Sequence, residues 1–301
     1  MRLSERLIDP RFPDRRPRRA AYALPTLFTA GNIFLGFVSI MKSYEGSLWA
    51  ALPGNASLPN PHFMLAAQVI GIALVLDGLD GRIARMTNTV TEFGKEMDSL
   101  ADVITFCLSP AVLAFAWGIQ FVDGAGVGLF VRDHLVRAGY FVSFLFLLCG
   151  ACRLARFNVQ ANPVPKNPGR PDRKYFVGLP TPPSAGLLAA IVYACDGVPL
   201  HWFAFSMAWL ALVGLEAFLM VSTWRYRSFK DLNLLQPRSP FSIILMGSLI
   251  FSIWNYSQPV LLAISTTYML SGIVVRMCGL IKRHLFPGAP QAPEQKGAMV
   301  G

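Results

Sequence analysis

Apolar residues occur in long runs, and short polar or basic segments separate them along the whole chain. Most runs approach the roughly 20 residues that a helix needs to cross a bilayer. The pattern predicts an all-α, polytopic integral membrane protein with about eight transmembrane helices. Their predicted extents are Leu24 to Met41, Phe63 to Arg85, Glu92 to Gly118, Ala138 to Phe157, a fifth ending near Cys195, Trp202 to Trp224, Phe241 to Tyr256, and Pro259 to Ile281.

The segments outside these runs divide the chain into three parts. Residues 1–22 are rich in Arg and Pro and predict a basic, flexible cytoplasmic arm. Residues 23–283 form the predicted transmembrane domain, with loops at 43–61 and 119–136. Residues 284–301 predict a disordered tail.

Composition supports a membrane location and gives an orientation. Hydrophobic residues make up 53% of the chain and charged residues 15%, against about 25% charged in soluble domains. The net charge of +10 arises from Lys and Arg that cluster on one side of the predicted helices. This asymmetry predicts that both termini are cytoplasmic and that the basic segments contact anionic membrane lipid, not nucleic acid. We expect the plasma (inner) membrane.

Four carboxylates interrupt the second and third apolar runs. Asp77 and Asp80 are three residues apart, and Asp98 and Asp102 are four apart, so each pair shares a helix face. A short turn between the two helices makes them antiparallel, which places both pairs at similar depth. Each carboxylate at the centre of a membrane helix costs about 2.5–3.5 kcal/mol. The pairs therefore require a compensating charge.

Divalent metal is the compensating charge that this donor set favours. Carboxylate oxygens suit Mg²⁺, Mn²⁺ or Ca²⁺ rather than zinc. Two bridged ions would stabilise a phosphoryl transition state, and a remaining carboxylate could act as general base. Nearby glycines leave room for a bulky ligand, and Arg85 could pair with a phosphate. The alternative is an intramembrane Asp cluster for cation transport.

The spacing of this stretch matches a known signature. The pattern D-x2-D-G-x2-A-R-x8-G-x3-D-x3-D resembles that of the CDP-alcohol phosphotransferase family. The resemblance implies a membrane enzyme, expected as a homodimer, that displaces CMP from a CDP-linked lipid with an alcohol and uses divalent metals. It implies metal ligation by Asp77, Asp80 and Asp98, and a ligand or base role for Asp102. The CDP-lipid site would include Thr29, Asn32, Gly81, Ala84, Arg85 and Gly94.

Weaker motifs point to one branch of that family. Leu24 to Asn32, Arg153 to Asn158 and Phe176 to Pro182 resemble segments of the phosphatidylserine synthase branch. The resemblance implies transfer of the phosphatidyl group from CDP-diacylglycerol to L-serine, which gives phosphatidylserine and CMP. Glycerol 3-phosphate, inositol or an inositol phosphate is the alternative acceptor.

Three polar residues near the end of the fourth predicted helix are candidates for recognising the acceptor. We hypothesise that Arg153 and Arg156, with Asn158, hold the serine carboxylate or the lipid phosphates. The competing interpretation is an ordinary basic helix end on the cytoplasmic side. Asn32 likewise fits either a helix–helix hydrogen bond or a contact with a polar ligand.

Overall fold

The computed structural model describes residues 19–87, 92–123, 128–161, 175–227 and 240–285. Within these ranges the regular secondary structure is helical apart from one short β-ribbon, and turns join the elements. The helices are α1 (Arg19–Ala50), α2 (Pro61–Thr87), α3 (Glu92–Asp102), α4 (Ser109–Gly118), α5 (Leu129–Ala161), α6 (Thr181–Ala194), α7 (Phe203–Val221), α8 (Pro240–Asn255) and α9 (Ser257–Leu285).

Among the residues that the structure describes, five helical segments are long and apolar enough to cross a membrane, which confirms an all-helical, multi-pass membrane protein. They are Pro61–Leu79, Phe93–Gly118, Leu129–Val159, Phe203–Val221 and Ser257–Val274. Helix α6 is also apolar but has only 14 residues.

Helices α3 and α4 form one continuous rod, as the sequence predicted, but its middle is π-helical. The segment Val103–Leu108 joins them directly, with Thr105, Phe106 and Cys107 buried. A π turn inserts an extra residue into the helical repeat, and such turns are frequent at functional sites. Here the π segment begins immediately after Asp102.

The predicted end of the first helix at Met41 is wrong. Helix α1 continues to Ala50, so the first part of the predicted 43–61 loop is helical. The extension packs against α2 instead of entering solvent: the Asn60 side chain donates to the Gly46 carbonyl at 2.9 Å. Glu45 also pairs with Lys42 and with His62 at the start of α2. These contacts hold a polar extension that hydropathy alone assigns to a loop.

Two other predicted boundaries move for a similar reason. Helix α5 begins at Leu129, inside the predicted 119–136 loop, and Arg132 anchors this turn by donating to the Val122 carbonyl at 3.1 Å. Helix α1 begins at Arg19, within the predicted arm. The rest of that arm and all but the start of the predicted tail lie outside the described residues.

The β-ribbon was not predicted, because its strands have only three residues each. Strand β1 (Tyr175–Val177) pairs antiparallel with β2 (Arg225–Arg227). Gly178 follows β1 with φ of +80° and donates to the Trp224 carbonyl at 2.8 Å. Pro180 then keeps the backbone extended until α6 begins, as the proline-rich sequence predicted. The ribbon thus links the start of α6 to the end of α7.

Helix α1 packs closely against α2 and the π segment. Ser39 donates to the Ala66 carbonyl at 3.0 Å, and Thr105 donates to the Asn32 carbonyl at 2.9 Å. Gly36 faces Thr105 so closely that an added Cβ would lie 2.9 Å from the Thr105 Cα. A glycine is therefore required where α1 crosses the π segment.

We predict that Gly36→Ala destabilises the protein by about 1–3 kcal/mol, because the new methyl group overpacks against backbone that cannot move aside. Gly71→Ala is the matched control, since an added Cβ there meets nothing within 4 Å. Thermal unfolding in detergent provides the comparison. Equal melting temperatures for the two variants would show that this crossing tolerates a side chain.

Candidate active site

Three of the four predicted carboxylates meet between α2 and α3. A carboxylate oxygen of each of Asp77, Asp98 and Asp102 lies within 4.8 Å of the other two. Asp77 belongs to α2, whereas Asp98 and Asp102 lie one turn apart on α3. Gly94 lies one turn further back on the same face of α3. The predicted pairing of two antiparallel helices therefore brings these acids together.

The remaining part of the signature is described only by its backbone. Helix α2 continues through Asp80 to Thr87, so Asp80 lies one turn beyond Asp77 on the same face. The side chains of residues 80–92 fall outside what the structure describes. The predicted roles of Asp80, Gly81, Ala84 and Arg85 therefore stay predictions.

The electrostatics of the cluster favour a bound cation. Carboxylates within 4.8 Å repel each other, by about 3 kcal/mol per ionised pair at an effective dielectric constant of 20. One oxygen of Asp102, Oδ1, is buried and has no hydrogen-bond partner. Buried polar atoms are normally paired, so an unpaired oxygen on a carboxylate of this cluster fits a cation-binding site. A divalent ion with oxygen ligands fits this donor set.

Two polar residues of α1 are buried where α1 packs against the helices that carry the cluster. Thr29 and Asn32 are almost fully buried, although they belong to a helix with a largely apolar sequence. An added Cβ at Gly31 would lie 3.4 Å from the side chain of Leu76, the residue before Asp77, and the Asn32 carbonyl accepts from Thr105, three residues after Asp102. Asn32 Oδ1 is buried without a partner. Asn32 Oδ1 therefore does not make the helix–helix hydrogen bond that the sequence suggested as one possibility. This oxygen can accept a hydrogen bond from a ligand.

The three residues predicted for acceptor binding occupy different positions. Arg153 is only 8% exposed and interacts electrostatically with Asp102. Arg156 instead donates to the Val221 carbonyl at the end of α7, at 3.2 Å. Asn158 donates to the Ser99 hydroxyl at 2.8 Å, beside Asp98. Arg153 thus interacts with the charge of the cluster, while the described contacts of Arg156 and Asn158 connect α5 to its neighbours.

Polar groups on α7, α9 and β2 were missed in the sequence analysis. Tyr268 of α9 is buried and interacts electrostatically with Arg153. Tyr226 and Glu216 are fully buried, and each has a side-chain oxygen without a partner. Tyrosines in membrane proteins usually lie at the membrane interface. Tyr268 instead lies within the apolar run of the last predicted helix, and this unusual position was the signal that could have identified it.

Comparison with known proteins identifies the family. The family model described as CDP-alcohol phosphatidyltransferase matches residues 22–224. The chain belongs to this family. A CDP-diacylglycerol–serine O-phosphatidyltransferase from Helicobacter pylori is 37% identical over 219 residues, which cover 72% of this chain and 77% of the relative.

More distant members of the CDP-alcohol phosphatidyltransferase family give a consistent picture. A CDP-diacylglycerol–serine O-phosphatidyltransferase from Saccharomyces cerevisiae is 36% identical and covers 57% of this chain and 56% of its own length. An archaetidylserine synthase from Methanothermobacter thermautotrophicus is 34% identical and covers 54% of each. The matched region contains α2, α3 and the carboxylate cluster.

We predict opposite effects of Asp102→Asn with and without metal. In EDTA the variant should melt at a higher temperature than the wild type, by about 2–4 °C per kcal/mol of repulsion relieved. Mg²⁺ or Mn²⁺ should stabilise the wild type but not the variant, because one ligand is lost.

Glu96→Gln is the matched control for this experiment, because it removes an exposed carboxylate from the same helix outside the cluster. It should behave like the wild type in both conditions. An undiminished metal-induced rise in the melting temperature of Asp102→Asn would contradict metal binding by this residue.

Proposed function

We propose that this CDP-alcohol phosphatidyltransferase transfers the phosphatidyl group of CDP-diacylglycerol to L-serine and releases phosphatidylserine and CMP. The main support for serine as the acceptor is the 37% identity to a CDP-diacylglycerol–serine O-phosphatidyltransferase across 72% of this chain. The carboxylate cluster supports the chemistry, since phosphoryl transfer requires compensation of oxygen charge.

The reaction exchanges one phosphorus–oxygen bond for another. The serine hydroxyl oxygen attacks the phosphorus that carries the diacylglycerol, and the bond from that phosphorus to the CMP oxygen breaks with its electron pair. The hydroxyl proton passes to a carboxylate, for which Asp102 or Asp98 is the candidate. Both acids belong to the cluster, and the unpaired Oδ1 of Asp102 can accept a proton or a ligand.

Asp77, Asp98 and Asp102, with Asp80 one turn along α2, would hold divalent metal, Mg²⁺ or Mn²⁺ and expected as two ions. When bound, the metal neutralises the phosphate oxygens and increases the electrophilicity of phosphorus. Thr29 and Asn32 would offer polar atoms to the CDP-lipid. Both are almost fully buried, and Asn32 Oδ1 has no hydrogen-bond partner.

Arg153 is the proposed partner of the serine carboxylate. A guanidinium binds a carboxylate through charge-assisted hydrogen bonds. Arg153 is buried near Asp102, and its Nε has no partner. A carboxylate bound there would hold the serine hydroxyl close to the acids, because the two groups of serine are separated by only two carbons. Arg156 and Asn158 would support this site by connecting α5 to α7 and α3.

We also propose the finer membrane arrangement predicted from the sequence. It has eight spans with both termini in the cytoplasm, and the carboxylate cluster opens to the cytoplasmic side of the plasma membrane. The distribution of Lys and Arg supports it. The homodimer implied by the resemblance stays a prediction.

A cation transporter is the competing function. Transport requires polar groups along a path through both halves of the membrane. Within the described helices α6 to α9 the only acidic residue is Glu216, and the Ser184 hydroxyl donates to it at 2.9 Å. That arrangement and the family membership both favour the transferase.

We predict that the purified protein in detergent, given CDP-diacylglycerol and Mg²⁺ or Mn²⁺, releases CMP when L-serine is added. Glycerol 3-phosphate, inositol and a sample without acceptor complete the panel. Asp98→Asn should reduce the rate by at least about 100-fold, because it removes a carboxylate that would bind metal. Glu96→Gln should retain the wild-type rate.

Each alternative outcome has a distinct meaning. Release with another alcohol but not with serine would reject the proposed acceptor and keep the family chemistry. Absence of release with every acceptor would contradict the proposed transferase.

A further inference from the structure

Arg153 interacts with the carboxylate cluster and with a tyrosine of the last described helix. Its charge interacts electrostatically with Asp102 and with Tyr268. Arg153 and Tyr268 are each 8% exposed, and Arg153 Nε is buried without a hydrogen-bond partner. A buried guanidinium nitrogen without an acceptor is costly, so this position favours an anionic or carbonyl ligand.

The packing of α9 holds Tyr268 in place. Tyr268 and Gly272 are one turn apart on one face of α9. The Tyr226 ring of β2 lies directly against Gly272, where an added Cβ would clash with it. The centroids of the Tyr226 and Tyr268 rings are 6.0 Å apart. The β-ribbon therefore contacts α9 beside Tyr268, and glycine allows that approach.

The surroundings of Tyr268 are polar as well as aromatic. Burial, together with the neighbouring Tyr268 and Glu216, raises the pKa of the Tyr226 phenol to about 12. Tyr226 therefore stays a neutral phenol at physiological pH, and its hydroxyl is a second buried group without a partner. Buried donors without a partner, such as Arg153 Nε and the Tyr226 hydroxyl, favour a small polar substrate over an acyl chain.

We propose that Tyr268 and Arg153 together form the subsite for the carboxylate of an amino-acid acceptor, with Tyr268 as a specificity-determining residue. This inference rests on the proposed function. A guanidinium and a phenol hydroxyl are both donors, and two convergent donors match a carboxylate. Tyr268 lies beyond residues 22–224, which the family model matches. It thus adds to the shared catalytic region a group that separates serine from acceptors without a carboxylate.

The competing explanation is that Tyr268 and Arg153 only pack α9 against α5. The two explanations differ in what the Tyr268 hydroxyl does. Loss of a purely structural hydroxyl would lower stability and affect both substrates alike. Loss of a hydroxyl that binds serine would weaken serine binding and leave CDP-diacylglycerol binding unchanged.

The test is Tyr268→Phe, which removes the hydroxyl and keeps the ring. We expect KM for L-serine to rise about tenfold or more, as for a lost hydrogen bond to a charged group. The values of kcat and of KM for CDP-diacylglycerol should stay within about twofold of wild type. Tyr193→Phe is the matched control, because its hydroxyl contacts Ser257 at 2.8 Å, and Ser257 is the first residue of α9, about three turns before Tyr268.

Two competing inhibitors give an independent measurement. 3-Hydroxypropanoate keeps the carboxylate of serine and lacks the ammonium, whereas ethanolamine lacks the carboxylate. Tyr268→Phe should weaken inhibition by 3-hydroxypropanoate about tenfold and leave inhibition by ethanolamine unchanged.

The outcomes separate this inference from the proposed function. If the wild type uses serine and Tyr268→Phe leaves its serine KM unchanged, the subsite is wrong and the function stands. Equal weakening of serine and CDP-diacylglycerol binding would also overturn the subsite in favour of a packing role. If the wild type releases no CMP with serine, the proposed function itself fails.

Discussion

Mutual repulsion among three carboxylates is the constraint on which the rest of this structure depends. Asp77, Asp98 and Asp102 have oxygens within 4.8 Å of one another in a bundle of apolar helices. Carboxylates on membrane helices are costly and are normally compensated by an opposite charge. The arrangement is therefore reasonable only if cations and charged substrates occupy it. The chemistry proposed for the protein follows from that requirement.

The packing around the cluster fixes the helices that carry its carboxylates. Gly36 lets α1 approach the π segment that begins after Asp102, and Thr105 fixes that approach with a hydrogen bond to the Asn32 carbonyl. Asn158 connects the end of α5 to Ser99, next to Asp98. These contacts act from two sides, so the acids are kept together before any ligand binds. Such preorganisation is the main contribution a protein makes to phosphoryl transfer.

The local part of the site was predictable from the sequence, because helical spacing alone places Asp98 and Asp102 on one face and a short turn brings Asp77 opposite them. The α1 extension to Ala50 was not predictable, since it depends on contacts with residues such as Asn60 and His62. The β-ribbon and the position of Tyr268 depend on packing between distant segments. The family signature identified the chemistry, whereas the interaction of Tyr268 with Arg153 required the three-dimensional arrangement.

The central claim is that the carboxylate cluster is a metal centre, and Mn²⁺ titration followed by electron paramagnetic resonance tests it most directly. Bound Mn²⁺ loses the sharp six-line signal of the free ion. The wild type should remove this signal until its sites are filled, and the variant with Asp77, Asp98 and Asp102 all replaced by Asn should leave it undiminished. Equal uptake of Mn²⁺ by a folded triple variant would contradict the account.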